Sequence, residues 1–200
     1  MGCLMKKINP RSVYLVRHGE RMDFNEKKEW DPEWPKRAAR LGLEQKDTPL
    51  TKRGYSQARK AAEVISRNVK IIYTSPFLRC VQTAEAISKC LGCELTRSAD
   101  LTEWMNPEWF GQEAYDFFEK KHLTPFPPIF APGLPKIPES RLEAYRKRSE
   151  AVLDNLRTRD DDFFPVCLVT HGGFIHHIVE TINSVSIDWV DYADVHRVIV

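Results

Sequence analysis

Runs of apolar residues alternate along this chain with segments whose apolar positions recur at helical spacing. Residues 13–16, 71–73 and 166–169 are short, continuous apolar runs, which are typical of strands buried on both faces of a parallel sheet. Two further β-rich stretches complete the set. The predicted strands span residues 12–16, 69–74, 93–96, 166–169 and 194–200.

Helical periodicity fills the intervals between these strands. Residues 54–67 repeat their apolar positions at helical spacing, and Thr51 precedes them as the predicted N-cap. Further helices are predicted from Ser75-Pro76 to about residue 91, over residues 139–157 and over residues 174–182. Strands that alternate with helices imply right-handed βαβ units. We therefore expect an α/β fold, a three-layer α/β/α sandwich with a mostly parallel central sheet.

Two segments break this alternation. Residues 25–47 are charged and carry two tryptophans, which predicts an excursion with a short helix. Residues 101–138 hold seven of the 13 prolines and many aromatic residues, so we expect a packed insertion with one helix near residues 112–121 rather than one long helix. The chain is therefore expected to be a single domain over residues 1–200, with insertions at about 25–47 and 104–138 that decide substrate choice.

Composition narrows the functional classes. The 200 residues include 30 Lys and Arg against 28 Asp and Glu, a formal net charge of +2. This balance argues against a nucleic-acid partner, because dedicated nucleic-acid binders carry a basic surplus. No apolar run approaches the roughly 18 residues that a membrane span needs.

The cysteines and the first residues bear on location. Five cysteines are an odd number and fit a reducing compartment, so we expect a cytoplasmic protein. Cys90 and Cys93 form a lone CxxC, which we interpret as structural because a zinc site needs four ligands. Membrane association is expected only if Gly2 and Cys3 are acylated, and Lys6 stands where the myristoylation pattern has Ser or Thr.

Reactive side chains follow three of the predicted strands. Arg17-His18 ends the first strand, Arg79 lies in the opening turn after the second, and His171 follows the run at 166–169. Ligands bind at the carboxyl ends of the strands in an open α/β sheet, and the helices after Pro76 and Gly173 aim their N-termini there. Arginine forks match phosphate oxygens. The sequence thus predicts a phosphoryl pocket, with neither a metal nor a cofactor, since no Asp-rich loop is present.

The residue types also indicate a mechanism. A neutral imidazole is nucleophilic near pH 7, and its attack on phosphorus gives a phosphohistidine. Glu103 is the candidate general acid, and we expect Trp104 to desolvate its carboxyl group. The remaining histidines lack such neighbours and are set aside: His122, His176, His177 and His196.

These motifs resemble the histidine phosphatase superfamily, whose fold is phosphoglycerate-mutase-like. The matching pieces occur in the family's order: Val16-Arg17-His18-Gly19-Glu20, Pro49-Leu50-Thr51 with Gly54, Gln57 and Ala58, Ser75-Pro76 with Leu78-Arg79-Cys80 and Gln82-Thr83-Ala84, Glu103-Trp104, and Thr170-His171-Gly172-Gly173. Arg21 and Asp23, together with residues 78–84, are most similar to the phosphatase domains of the suppressor-of-T-cell-receptor-signalling proteins, which also carry ubiquitin-associated and SH3 domains.

The resemblance implies a role for each matching residue. It makes His18 the phosphorylated nucleophile and Glu103 the acid, and it assigns Arg17, Arg79 and His171 to the phosphate, with Arg21 as a fourth contact. It also implies an α/β fold, the absence of a metal, and a homodimer.

The expected activity is that of a metal-independent phosphomonoester hydrolase, a histidine acid or neutral phosphatase. Phosphotyrosine in a protein or peptide is the first candidate substrate, and a small phosphorylated metabolite is the second. Two alternatives stay open: a phosphoglycerate-type mutase and a non-catalytic phosphate-binding pseudophosphatase.

Overall fold

The computed structural model describes residues 11–24, 29–123, 125–126, 128–130, 142–184 and 186–200. The predicted acylation site at Gly2 and Cys3 lies outside these residues, as do residues 25–28 and 131–138 of the two expected insertions.

Five strands form one sheet in the order β3-β2-β4-β1-β5. β1, β2, β3 and β4 run parallel to one another, and β5 runs antiparallel to its neighbour β1. The expectation of a mostly parallel sheet is therefore confirmed. The strands are Ser12–Arg17 (β1), Ile71–Thr74 (β2), Glu94–Arg97 (β3), Val166–Thr170 (β4) and Val195–Ile199 (β5).

Seven α-helices accompany the sheet in the described residues. They are Trp34–Arg40 (α1), Lys52–Val64 (α2), Leu78–Leu91 (α3), Pro107–Phe110 (α4), Gln112–Phe118 (α5), Leu142–Arg157 (α6) and Gly172–Asn183 (α7). Thr51 is the N-cap of α2, as predicted, and its hydroxyl accepts from the Gly54 N–H at 2.9 Å. α3 begins two residues after Pro76, and α7 begins two residues before the predicted start. No described helix combines the length and the apolarity required to cross a bilayer.

Helices cover both faces of the sheet. Side chains of a strand alternate between its faces, so Val13 and Leu15 of β1 pack with α6 and α7. Tyr14 and Val16 of the same strand pack with α2 and α3. β4 alternates in the same way, and the three-layer arrangement is confirmed.

The second insertion holds more structure than the single helix expected near residues 112–121. α4 and α5 are separated by Gly111 at φ +73°, a left-handed conformation that glycine adopts without strain. A π-helical turn, Glu119–Leu123, follows α5. Phe118 of α5 stacks on Phe77 with ring centroids 4.4 Å apart, so this insertion packs directly against the start of α3.

Candidate active site

Three loops leave the carboxyl edge of the sheet side by side. The His18 N–H donates to the Thr170 carbonyl at 3.0 Å, and the Ser75 N–H donates to the Val169 carbonyl at 2.9 Å. These bonds hold the ends of β1, β2 and β4 together. The rings of His18 and His171 therefore meet edge to face, with centroids 5.5 Å apart.

His18 is buried, and its tautomer is set by one contact. Its Nδ1 lies 2.9 Å from the carbonyl oxygen of Gly19, which only accepts, so Nδ1 carries the proton and Nε2 keeps its lone pair. Burial first, and then the charges of Arg79, Arg17 and Arg21, lower the pKa of His18 well below its usual value. The imidazole is therefore neutral near pH 7.

His171 is also buried and neutral. Its Nδ1 lies 3.2 Å from Nη2 of Arg79, and because a guanidinium only donates, this nitrogen accepts. Its Nε2 then donates to Oγ of Ser75 at 2.9 Å. Burial, followed by the charge of Arg79, lowers the pKa of His171 well below its usual value.

Arg17 and Arg79 present buried guanidinium groups to the two histidines. Arg17 donates to the Val190 carbonyl and lies over the ring of Tyr192, with Cζ 4.4 Å from the centroid. Arg79 lies over the ring of Phe77 at 4.5 Å. Among the residues that the structure describes, Nε of Arg17 and Nε of Arg79 are buried donors without a hydrogen-bond partner. Buried cationic donors of this kind suit an anionic ligand.

Arg21 lies beside this pair but already has a carboxylate partner. Its Nε donates to Oδ1 of Asp23 at 2.8 Å, and its Nη2 donates to Oδ2 of the same residue. It lines one cavity together with Arg79 and Glu103. Its charge also acts on both histidines, since it contributes to the lowered pKa of each.

Glu103 faces the site from the loop after β3. Its Oε1 accepts from the Trp104 N–H at 3.1 Å and from the Tyr145 hydroxyl at 3.2 Å. Its Oε2 lies 3.6 Å from Nδ1 of His171. The expected contact with Trp104 thus includes its backbone amide, and Tyr145 is a partner that the sequence pattern did not reveal.

The loop that carries His18 rests on the first turn of α2. A Cβ added to Gly19 would lie 2.6 Å from the Gly54 carbonyl oxygen, and one added to Gly54 would lie 2.4 Å from the Glu20 carbonyl oxygen. The Gly19 N–H donates to Oγ1 of Thr83 at 3.0 Å. This close approach gives the two motif glycines a physical reason.

Asp47 fixes the start of α3. Its Oδ1 accepts from the Leu78 N–H at 2.7 Å, and its Oδ2 lies 2.7 Å from Nε2 of His122. The neighbouring Lys46 carbonyl accepts from Arg79 at 3.5 Å. His122, which the sequence analysis set aside, is therefore a buried partner of the loop that positions Arg79.

A comparison with protein families bears on this arrangement. The family model of the histidine phosphatase superfamily (branch 1) matches residues 13–197. The chain belongs to this superfamily. The resemblance inferred from the motifs is confirmed.

Individual relatives agree with this assignment. A protein of Hydrogenobacter thermophilus provisionally named phosphoserine phosphatase 2 is 28% identical over 180 residues, which cover 89% of this chain and 81% of that protein. Ubiquitin-associated and SH3 domain-containing protein A of Mus musculus is 32% identical over 130 residues, covering 52% of this chain and 21% of the mouse protein. The chain thus spans about a fifth of the length of this mouse relative.

The fold also has solved counterparts. The structure of the ecdysone phosphate phosphatase from Bombix mori, in complex with tungstate, aligns with a TM-score of 0.59 at 19% identity and covers 94% of this chain and 88% of that one. At this identity the likeness establishes the histidine phosphatase fold.

Three cavities of this histidine phosphatase meet at Glu103. The first, of about 190 Å³, is lined by Arg21, Arg79 and Lys46 together with aromatic rings. The second, of about 350 Å³, lies between Glu103 and His176 of α7. The third, of about 360 Å³, includes Arg17 and, again, Glu103. His176, set aside in the sequence analysis, thus borders two of them. A larger cavity of about 660 Å³ lies where β2, β3 and β4 begin, away from the histidines.

Proposed function

We propose that this histidine phosphatase is a metal-independent phosphomonoester hydrolase that forms a phosphohistidine at His18. The observation that carries the proposal is the neutral imidazole of His18, whose Nδ1 is bonded to the Gly19 carbonyl and whose Nε2 keeps its lone pair among three guanidinium groups. A lone pair beside fixed positive charge is the arrangement required for attack on an anionic phosphoryl group.

In the first half of the reaction, Nε2 of His18 attacks phosphorus and the bond from phosphorus to the ester oxygen breaks. Arg17 and Arg79 hold the phosphoryl oxygens with their buried donors, and Arg21 adds positive charge. Glu103 gives its proton to the departing alkoxide, and the products of this step are a free alcohol and phosphohistidine. The negative phosphoryl oxygens raise the proton affinity of His171, so that this ring takes up a proton from solvent as the substrate binds and then donates to them.

In the second half, Glu103 returns as a carboxylate base. It takes a proton from water, the water oxygen bonds to phosphorus, and the bond from Nε2 of His18 to phosphorus breaks. Inorganic phosphate leaves, and Glu103 regains the proton that it lost in the first step. Charge on phosphorus is balanced throughout by arginine side chains, so the proposed steps use no metal ion.

The test is release of inorganic phosphate from an aryl phosphate and a phosphotyrosyl peptide in excess chelator. His18→Ala and His18→Asn should each lose at least a thousandfold in turnover, because both lack the nucleophilic nitrogen. Asn keeps a donor for the Gly19 carbonyl and so preserves the loop. His196→Ala, a histidine on β5, is the matched control and should keep activity within about twofold of the parent.

Three outcomes contradict the proposal. Activity of either His18 variant within about tenfold of the parent removes the nucleophile assignment. Transfer of phosphate to a second alcohol, dependent on a bisphosphate primer, identifies the mutase alternative. A folded protein that binds vanadate without releasing phosphate identifies the pseudophosphatase.

A further inference from the structure

Four of the five tryptophans border the cavities that meet at Glu103. We call them the tryptophan rim: Trp30, Trp104, Trp109 and Trp189. The fifth tryptophan, Trp34, is buried in the first insertion. Trp30, Trp109 and Trp189 are 41%, 57% and 76% exposed. Exposed indoles scattered over a surface need no explanation, but a group of them around one site indicates an apolar ligand.

The tryptophan rim lines each of the three cavities that include Glu103. Trp104 and Trp109 lie edge to face with ring centroids 4.9 Å apart, and both line the 350 Å³ cavity. In the 360 Å³ cavity, which Glu103 also lines, the ring of Trp189 lies 4.8 Å from Cζ of Arg17. An alcohol that leaves beside Glu103 therefore contacts an indole ring in either the 350 Å³ or the 360 Å³ cavity.

The 350 Å³ cavity has the size and floor of a ligand subsite. Small-molecule pockets range from about 300 to 1,000 Å³, so this one holds a ring system of modest size. Gly173 forms part of its floor, and a Cβ there would lie 3.4 Å from the Tyr145 hydroxyl and 3.7 Å from Oε1 of Glu103. The absence of a side chain at Gly173 leaves the space beside Glu103 open.

Most titratable side chains in this cavity already have a partner. His176 lies 3.2 Å from Glu180, and His177 lies 3.2 Å from Glu150. Arg146 is the remaining basic side chain of the lining. Partnered polar side chains beside indole rings favour an apolar group over a second highly charged one.

We propose that the substrate is a phosphomonoester whose alcohol carries an aromatic ring, seated against Trp104 and Trp109 next to Glu103. The inference rests on the proposed function, since the general acid defines where the alcohol leaves. The same chemistry has two sources, a phosphotyrosine side chain of a protein and a small ring-bearing phosphate ester.

The test compares two esters that differ only in the ring: 3-phenylpropyl phosphate and propyl phosphate. Both release a primary alkoxide, so the leaving groups need the same help from the acid. The phenyl ester should have about a tenfold higher kcat/KM, the value expected for one buried aromatic contact. Trp109→Ala should reduce that preference to within about twofold, and Trp109→Phe should keep most of it.

Two controls isolate the ring. Val64→Ala removes an exposed apolar side chain on α2, outside the linings of the three cavities, and should leave the preference unchanged. Inhibition by vanadate should be equal in Trp109→Ala and the parent, because the phosphate donors are untouched. Equal kcat/KM for the two esters in the parent, or an unchanged preference in Trp109→Ala, overturns the inference even when His18→Ala abolishes turnover.

A binding measurement separates this inference from the proposed hydrolysis. 4-Phenylbutylphosphonate and butylphosphonate are not hydrolysed, so their calorimetric Kd values report the ring without any reaction. About tenfold tighter binding of the phenyl compound, lost in Trp109→Ala, supports the subsite even if neither ester is turned over. Equal Kd values overturn it.

The two sources are separated with phosphotyrosine in two contexts. If a phosphotyrosyl heptapeptide exceeds phosphotyrosine amide by more than about tenfold in kcat/KM, the ring belongs to a protein side chain. If the two values agree, the ring belongs to a small ester. Hydrolysis of a matched phosphoseryl peptide at the same rate as the phosphotyrosyl peptide contradicts the aromatic subsite in both contexts.

Discussion

At His18, one set of cations has two consequences. Arg79, Arg17 and Arg21 lower the pKa of the imidazole, after burial itself, and so keep Nε2 unprotonated. The same guanidinium groups are the donors available to a phosphoryl group. When a dianion arrives, it offsets their charge and raises the pKa of both histidines. In the proposed reaction, the site therefore keeps Nε2 of His18 free for attack before the substrate binds and favours a protonated His171 afterwards.

Glu103 offers the sharpest prediction for a single residue. Glu103→Gln removes the transferable proton but keeps an amide oxygen for the Trp104 and Tyr145 donors. The first turnover of propyl phosphate should slow by about a hundredfold or more, whereas that of 4-nitrophenyl phosphate should slow by less than about tenfold, because its leaving group needs little protonation. Rapid-quench measurement of the first turnover isolates this step, because in the proposed mechanism the hydrolysis of phosphohistidine also needs Glu103.

Glu180→Gln is the control for this carboxylate. Glu180 lines the same cavity and pairs with His176, so its loss should leave the difference between the two esters unchanged. An equal loss on both esters in Glu103→Gln would mean that Glu103 holds its neighbours in place rather than transfers a proton.

Among the elements, the parallel strands were the most predictable. β1 and β4 are continuous apolar runs that end at Gly-containing motifs, so both the strands and the edge bearing His18 and His171 follow from local pattern. Local pattern does not find the start of α3. Pro76 suggests a helix at once, but α3 begins at Leu78, and the Phe77 N–H donates to Oγ of Ser75 at 3.4 Å.

Contacts distant in sequence explain most of what the sequence did not reveal. Leu78 is capped by Asp47 from 31 positions earlier, and Tyr145 reaches Glu103 from 42 positions later. Trp189 borders the site although it lies in neither insertion. No periodicity encodes such pairs, because each depends on how separate elements pack.

The cap of α3 predicts a linked loss of stability and affinity. Asp47→Ala removes the acceptor of the Leu78 N–H and leaves His122 buried without its partner, which should lower the free energy of unfolding by about 2 kcal/mol. Since Arg79 lies in the first turn of α3, vanadate should also bind at least about fivefold more weakly. Urea unfolding and vanadate inhibition measure the two effects.

Asp31→Ala serves as the comparison for this loop. Asp31 accepts from the Glu33 N–H at 2.9 Å at the start of α1, a helix that carries none of the proposed phosphate donors. It should lower stability by at most about 1 kcal/mol and leave vanadate inhibition unchanged. Unchanged vanadate inhibition in Asp47→Ala would show that Arg79 does not depend on this cap.

At the scale of the whole molecule, the site draws on both ends of the described chain. Arg17 donates from its side chain to Val190, and its N–H donates to the Asp194 carbonyl at 3.1 Å. The Ala193 N–H donates to the His18 carbonyl at 3.2 Å. The pocket is therefore complete only when β5 pairs with β1 and the segment before β5 packs against the end of β1. The buried arginines and neutral histidines of the pocket lower the stability of the fold, as residues of functional sites commonly do.

The two buried histidines, His18 and His171, predict that the stability of the protein falls in mild acid. In the unfolded chain, His18 and His171 take up protons below a pKa of about 6.5, whereas burial and the arginines hold both pKa values well below this in the folded protein. The unfolded state then binds more protons, so stability decreases as pH falls. Between pH 7.5 and 5.5, each of the two histidines should lower the free energy of unfolding by about 1.3 kcal/mol. Urea unfolding at both pH values should show that His18→Asn loses correspondingly less stability between pH 7.5 and 5.5 than the parent. Thr51→Ala removes no titrating group, so it should lower the free energy of unfolding by the same amount at both pH values. An equal pH-dependent loss in the parent and His18→Asn would show that the buried imidazole of His18 takes up a proton in the folded protein.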